Sequence, residues 1–200
     1  MARGLLITVS GASGTGKGAV CGRLLETTPE LTYSISATTR APRGGEVDGR
    51  EYFFFDRAQF REKIERGEFL EYADVYGNYY GTLRSYVDGQ RDAGHDVLLE
   101  IDIQGALKVK AACPEGIFIF LLPPSLEELK RRIIGRGTES EESLARRLES
   151  APSEIAVGRN YDYAVVNDTI DRAVERIKAI IAAEKCRVER SAELFDALKI

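Results

Sequence analysis

Short apolar runs alternate with helical stripes along this chain, and the breaks between them are glycine-rich, proline-bearing or polar. Leu5-Leu6-Ile7-Thr8-Val9 predicts a buried strand. After a glycine-rich break, Ala19, Val20, Leu24 and Leu25 recur at helical spacing until Thr28-Pro29 closes the element. Residues 32–39 are rich in β-branched residues and hydroxyls. Tyr52-Phe53-Phe54-Phe55 predicts a further buried strand, and an amphipathic helix with Phe60, Ile64 and Phe69 on its apolar side follows. Residues 69–73 and 78–82 interleave rings, hydroxyls and one carboxylate. That pattern suits either a polar cleft lined by tyrosines or a half-exposed antiparallel sheet whose polar face meets water. Residues 87–93 predict a helix. Val97-Leu98-Leu99-Glu100-Ile101 has the near-continuous apolarity of a central parallel strand covered on both faces, and residues 104–110 predict the next helix. A second core strand, residues 117–122, stops at Pro123-Pro124, and Ser125 caps a helix running to Ile134. Residues 163–166 predict the last strand. Val174, Ile177, Ile180 and Ile181 stripe a terminal helix over residues 171–187, and Leu194, Phe195 and Leu198 form a second short apolar pattern beyond it. Strands alternating with helices predict the α/β class.

A hydrophobic fraction of 44% over 200 residues is enough for a substantial core in one domain with inserted lobes. No apolar run is long enough to span a bilayer, and residues 1–20 lack a signal-peptide cleavage pattern, so a cytoplasmic location without membrane attachment is expected. The net charge of -4 argues against a general nucleic-acid or acidic-membrane binder. Cys21, Cys113 and Cys186 fit neither a disulfide framework nor a metal knuckle and read as reduced thiols. His95, the only histidine, sits in a Gly94-His95-Asp96 turn, which removes the usual ligand or base of zinc and Ser-His-Asp hydrolases. The pattern suits a monomer or a homo-oligomer.

The chemistry gathers at the first glycine-rich break. Gly11-Ala12-Ser13-Gly14-Thr15-Gly16-Lys17 has the spacing of a Walker A loop, in which main-chain amides curl round phosphate oxygens and a lysine reaches the terminal phosphates. The helix that follows points its positive end at the same anion. Gly18 stands where a serine or threonine hydroxyl would hold Mg²⁺, which predicts a weakened metal site completed by water. Arg40 and Arg43 lie in a loop suited to an anion. Asp102 ends a predicted central strand at the Walker B position, and it also stands where a helix N-cap would. Arg131-Arg132, Arg136 and Arg146-Arg147 place cations on two helices joined by a turn, either as a solvated, salt-bridged pair or as a mobile lid.

With the phosphate loop, Ser36-Ala37-Thr38-Thr39-Arg40-Ala41-Pro42-Arg43-Gly44-Gly45-Glu46, Gly77-Asn78-Tyr79-Tyr80-Gly81-Thr82, Ile101-Asp102-Ile103-Gln104-Gly105 and Gly135-Arg136-Gly137-Thr138-Glu139, the chain resembles guanylate kinase across residues 4–187. The resemblance implies a P-loop nucleoside-monophosphate-kinase-like fold: a parallel-sheet core with helices on both faces (residues 1–34, 94–125 and 151–187), an inserted GMP-binding lobe (35–93) and a helical lid (126–150). Residues 188–200 form an extension. It implies transfer of the γ-phosphoryl of ATP to GMP with Mg²⁺, the substrates being the partners. It assigns Arg40, Arg43, Tyr52 and Tyr80 to the GMP phosphate, Glu71 to guanine with hydroxyls from Ser36 and Thr82, and Asp102 to the metal beside the guanine pocket. Residues Gly11 to Gly18 and Asn167 are implied for ATP, with Lys17, Arg132, Arg136 and Arg147 acting on the transferring phosphoryl. Two rival readings stay open: a protein-binding module of this fold that has lost catalysis, which Gly18 favours, and a P-loop kinase for another phosphorylated acceptor.

Overall fold

A computed structural model of the chain describes residues 3–135 and 141–190. Arg136, with the Gly137-Thr138-Glu139 segment, and the apolar pattern of Leu194, Phe195 and Leu198 lie outside the described residues. The chain divides into two compact units, one built from Arg3–Ser10 and Glu30–Phe118, the other from Gly11–Pro29 and the residues from Ile119 onward.

The first unit carries two sheets. Strands β1 (Leu6–Gly11), β2 (Leu31–Tyr33) and β7 (Asp96–Glu100) run parallel in the order β2-β7-β1, with Leu6 opposite Val97 and Leu31 opposite Asp96. Every residue of β1 is buried, as are the first four of β7, which is what a parallel strand covered on both faces requires. The second sheet has the order β4-β3-β6-β5: β3 (Ala37–Thr38), β4 (Phe53–Phe54), β5 (Phe69–Val75) and β6 (Asn78–Leu83). Strands β5 and β6 form an antiparallel hairpin whose turn residues, Tyr76 and Gly77, both have positive φ, as a tight primed turn demands. Helices α2 (Arg57–Glu65), α3 (Arg84–Asp92) and α4 (Ile103–Ala112) complete the unit.

Two expectations need correction here. Phe69 does not lie on α2: Arg66 is the C-cap of the helix, and Gly67 at φ 67° closes it with two hydrogen bonds, its own N–H to Ile64 O at 2.9 Å and Glu68 N–H to Lys63 O at 3.0 Å. The chain then returns as β5, so Phe69 stacks on Phe60 with ring centroids 4.3 Å apart, and the helical spacing had marked a cluster rather than a single face. Tyr52 to Phe55 is not a buried strand either. Phe53 and Phe54 join the sheet at its edge and are half-buried, while Tyr52 makes an isolated bridge to Asp48. Residues 32–39 divide between β2 in one sheet and β3 in the other.

In the second unit, α1 (Lys17–Glu26) packs on α7 (Ile170–Lys185), and β8 (Ile117–Leu122) pairs in parallel with β9 (Tyr163–Val166). Helices α5 (Leu126–Ile134) and α6 (Glu141–Val157) meet through Leu129, Ile133 and Ala151, with Leu148 and Ile155 beside them. Side chains cap four helices: Asp56 for α2, Asp102 for α4, Ser125 for α5 and Thr169 for α7. Helix α1 has no such cap, because its N-cap is Gly16.

Phe60 is fully buried between Phe69 and Tyr79, with Ala37 and Leu83 in the same cluster. Phe60→Ala is therefore expected to cost about 3–5 kcal/mol, the range for truncating a core aromatic. A denaturant midpoint equal to that of the unaltered protein would contradict this packing.

Candidate functional site

The phosphate-type loop is held by its own carbonyls. Lys17 Nζ donates to Gly11 O at 2.9 Å, and the Thr15 hydroxyl donates to Ala12 O at 2.8 Å. The Asn167 side-chain amide donates to Thr15 O at 2.7 Å. Gly16 sits at φ 89°, and a Cβ there would stand 2.7 Å from Asn167 Nδ2, so only glycine allows this approach. With no side-chain cap and no acidic residue in its first turn, α1 presents the positive end of its dipole at the loop. Gly18 adds no side-chain oxygen.

Helices α5 and α6 reach the same loop. Arg132 Nε is paired with Glu128 at 2.8 Å, and its Nη2 donates to the backbone oxygen of Asn167 at 3.1 Å. Arg147 donates from Nε to Ser13 Oγ at 2.9 Å and from Nη2 to the same oxygen. Glu154 accepts from Ser13 N–H at 3.0 Å, and the Ser150 hydroxyl holds its other oxygen at 2.8 Å. Asn167, which the resemblance implies for ATP, is buried and braces the loop through its side-chain amide. Glu154 was missed altogether, although Arg147, Ser150 and Glu154 stand three and four apart on α6, a spacing that puts them on one face.

A second cluster lies in the first unit. Arg40 follows β3, its backbone N–H on Thr38 Oγ1 at 3.1 Å, and its guanidinium is forked onto Glu46 at 2.9 and 3.0 Å. Donation to the Glu46 carboxylate raises the Arg40 pKa, with Tyr80 adding to it, and Arg40 in turn holds the Glu46 carboxyl below the usual carboxylate range. The Tyr52 ring lies 5.3 Å from the Arg40 guanidinium carbon and 6.1 Å from the Tyr80 ring. Arg43 is exposed on the same loop, its N–H on Glu46 at 2.7 Å.

Two carboxylates close the cluster. Glu71 on β5 accepts from the buried Thr82 hydroxyl on β6 at 2.7 Å. Asp102 spends one oxygen on the Gly105 N–H at 2.7 Å, so it is the helix cap that the sequence allowed. A Cβ at Gly105 would lie 3.2 Å from Glu71 and 3.4 Å from Asp102, which sets the two acids beside one another across a glycine. Burial pushes the Glu71 carboxyl above its ordinary value, and the Asp102 charge pushes the same way. Ser36 is half-buried and accepts the Phe53 N–H on its backbone oxygen at 2.9 Å. Tyr80 and Thr82 are alternate residues of β6, so they share a face about 7 Å apart.

His95 is exposed, Cys21 and Cys113 are buried thiols, and Cys186 is an exposed one. Among the described residues no group of three or more His, Cys, Asp or Glu is placed to hold a metal, and no helix is long and apolar enough to cross a membrane.

Comparison with known proteins agrees with this geometry. The family model for guanylate kinase matches residues 3–184. A guanylate kinase of Caldanaerobacter subterraneus is 56% identical over 96% of this chain and 94% of its own, and one of Clostridium tetani is 59% identical over 95% and 91%. The crystal structure of guanylate kinase from Anaplasma phagocytophilum superimposes with a TM-score of 0.72 at 36% identity, covering 95% of this chain and 90% of that one. The chain belongs to the guanylate kinase family, enzymes that phosphorylate GMP with ATP.

Proposed function

We propose that this enzyme seats GMP on the cluster around β6, with its phosphate on Arg40, Arg43, Tyr52 and Tyr80 and its guanine on Glu71, Thr82 and Ser36. The phosphates of ATP lie in the loop from Gly11 to Gly18. The observation that carries the GMP assignment is the Glu71 carboxylate fixed by Thr82, which shares a face of β6 with Tyr80, the tyrosine that adjoins Arg40. A carboxylate accepts from both N1–H and the N2 amine of guanine, whereas adenine presents a lone pair at N1 and leaves acceptors facing each other. Guanidiniums fork onto phosphate oxygens and phenols add single donors.

The chemistry asks little of acid–base groups. The acceptor is a phosphate oxygen already ionised at neutral pH, so no side chain has to remove a proton. What remains is alignment of that oxygen with the γ-phosphoryl and neutralisation of charge on the equatorial oxygens. Lys17, the positive end of the α1 dipole and the lid arginines Arg132, Arg136 and Arg147 supply the positive charge. Mg²⁺ fits this donor set. It keeps most of its ligands as water and phosphate oxygen and needs one or two carboxylates, for which Asp102 has an oxygen beyond the one that caps α4. When bound, the ion neutralises phosphate charge. In lobes, the reading is a core of residues 1–34, 94–125 and 151–187, a GMP-binding lobe of 35–93 and a lid of 126–150. A cytoplasmic location belongs to the same reading, because ATP and GMP are pools of the cell interior.

Offered ATP with GMP, AMP, CMP or UMP, the protein is expected to form ADP rapidly only with GMP; equal rates with AMP would overturn the acceptor assignment. Lys17→Ala is expected to lower kcat by about 10²–10³-fold, the loss typical of removing one preorganised donor, while KM for GMP stays near its original value. Unaltered turnover would remove Lys17 from the reaction.

Glu71 gives a pH signature. Its pKa in the free protein is raised, and only the ionised form accepts both guanine donors, so KM for GMP should climb as the pH falls through that raised value. Glu71→Gln is expected to raise KM by about tenfold to a hundredfold, the range for a hydrogen bond to a charged group, and to abolish the acid rise. An acid rise that survives the substitution would sink the assignment.

Because Gly18 offers no hydroxyl, Gly18→Ser is expected to lower the Mg²⁺ concentration needed for half-maximal rate. A metal titration that superimposes on that of the parent would rule out the missing hydroxyl as a weakness of the site.

A further inference from the structure

Arg40 uses its donors unevenly. A guanidinium has five N–H groups in a planar fork. Nη1 donates to Ala41 O at 2.7 Å and to Glu46 Oε2 at 3.0 Å, and Nη2 donates to Glu46 Oε1 at 2.9 Å. Both Nη1 hydrogens and one Nη2 hydrogen are thereby spent. The donors left are Nε–H and the second Nη2–H, which are parallel and lie together on the side-on edge of the plane. The Tyr80 hydroxyl also interacts with this guanidinium. Such an edge is itself a bidentate binding site for a tetrahedral or planar oxyanion.

Glu46 does more than neutralise that guanidinium. Its Oε2 also accepts from Arg43 N–H at 2.7 Å, so one carboxylate ties the side chain of the first arginine to the backbone of the second. Both partners are largely shielded, with side-chain exposures of 15% for Arg40 and 18% for Glu46. The Tyr52 ring at 5.3 Å restricts the remaining freedom of the guanidinium.

We infer that Glu46 is a positioning residue for GMP: it grips the end-on edge of Arg40 so that the side-on pair, Nε and Nη2, is presented to the acceptor phosphate. This rests on the assignment of Arg40 to that phosphate. A carboxylate on a phosphate-binding arginine would otherwise read as a competitor that the nucleotide must displace. The edges decide between the two roles, because Glu46 takes the fork of Nη1 and Nη2 and keeps its own oxygens off the Nε side, where the Tyr80 hydroxyl, itself assigned to the phosphate, is the other group that interacts with this guanidinium. A competitor would cover the edge that the phosphate needs.

Glu46→Gln is close to isosteric but sets an amide donor against the guanidinium, so the two-oxygen grip fails. The Kd of GMP, measured by calorimetry, is expected to rise about tenfold, the scale of having to order one long side chain on binding. Guanosine, which lacks the phosphate, is expected to inhibit with unchanged Ki, and the kinetic loss is expected in KM rather than kcat. Added to Arg40→Ala, Glu46→Gln should cause no further loss, since it acts through that arginine. Tighter or unchanged GMP binding by Glu46→Gln overturns the inference, as does an equal weakening of guanosine or a loss that persists in the Arg40→Ala background. If Arg40→Ala itself leaves GMP binding unchanged, the phosphate assignment falls and the inference with it. If Arg40→Ala weakens GMP and Glu46→Gln does not, the inference alone falls.

Discussion

A trans peptide plane points its C=O and its N–H in opposite directions, and the loop between β1 and α1 is built on that constraint. Thr15 O is held by the Asn167 amide, Gly11 O by Lys17, Ala12 O by the Thr15 hydroxyl, and Gly16 O by the Val20 N–H. With these carbonyls anchored, the amides of Gly16 and Lys17 face the other way. Helix α1 then begins without the side-chain cap found on α2, α4, α5 and α7. A serine or aspartate at Gly16 would offer an oxygen to the amides of Gly18 and Ala19, but it would force a side chain into the left-handed backbone at φ 89° and against Asn167. Helix α3, which starts after Leu83, also lacks a side-chain cap, so at α1 it is the glycine geometry of the loop that sets this start apart.

The cations obey a parallel logic. Long side chains lose conformational freedom when they bind, which weakens any site that meets its ligand with mobile arginines. Here carboxylates fix them beforehand: Glu46 holds Arg40, and Glu128 holds Arg132 at 2.8 Å. Arg147 is held by a hydroxyl instead, Ser13 Oγ, in the loop itself. Each of these pairs lies largely within one short stretch or between neighbouring elements of one unit, so the local backbone sets the geometry. Electrostatic preorganisation of this kind suits phosphoryl transfer, where there is little covalent work for side chains to do.

The strands and helices were readable because their apolar periodicity is strong. Residues 97–101 announced β7, Ser125 announced the start of α5, and the glycines from Gly11 to Gly16 announced a loop that other residues cannot follow. The failures occurred where one spacing served two elements. Phe60 and Phe69 satisfy a helical period, yet Gly67 turns the chain between them, and only the closing bonds to Ile64 and Lys63 reveal it. Site residues were readable one at a time, from chemical type within a motif, but their pairings were not. Glu154 on Ser13 and Asn167 on Thr15 join positions 141 and 152 residues apart, which periodicity does not encode. Glu46 closed a motif that resembled a family signature, and its role in holding Arg40 emerged only with the side-chain geometry.

Selectivity for guanine, on the proposed assignment, draws on a cost that the free protein carries. Glu71 is withdrawn from water beside Asp102, and its ionised form is disfavoured as a result. Thr82, through its hydroxyl and its backbone, relieves part of that penalty without cancelling it. Guanine supplies two donors and restores the balance, whereas a base with an acceptor at N1 adds an unmatched lone pair. The discrimination therefore exceeds what shape alone allows, because the wrong base both forgoes the gain and keeps the burial penalty.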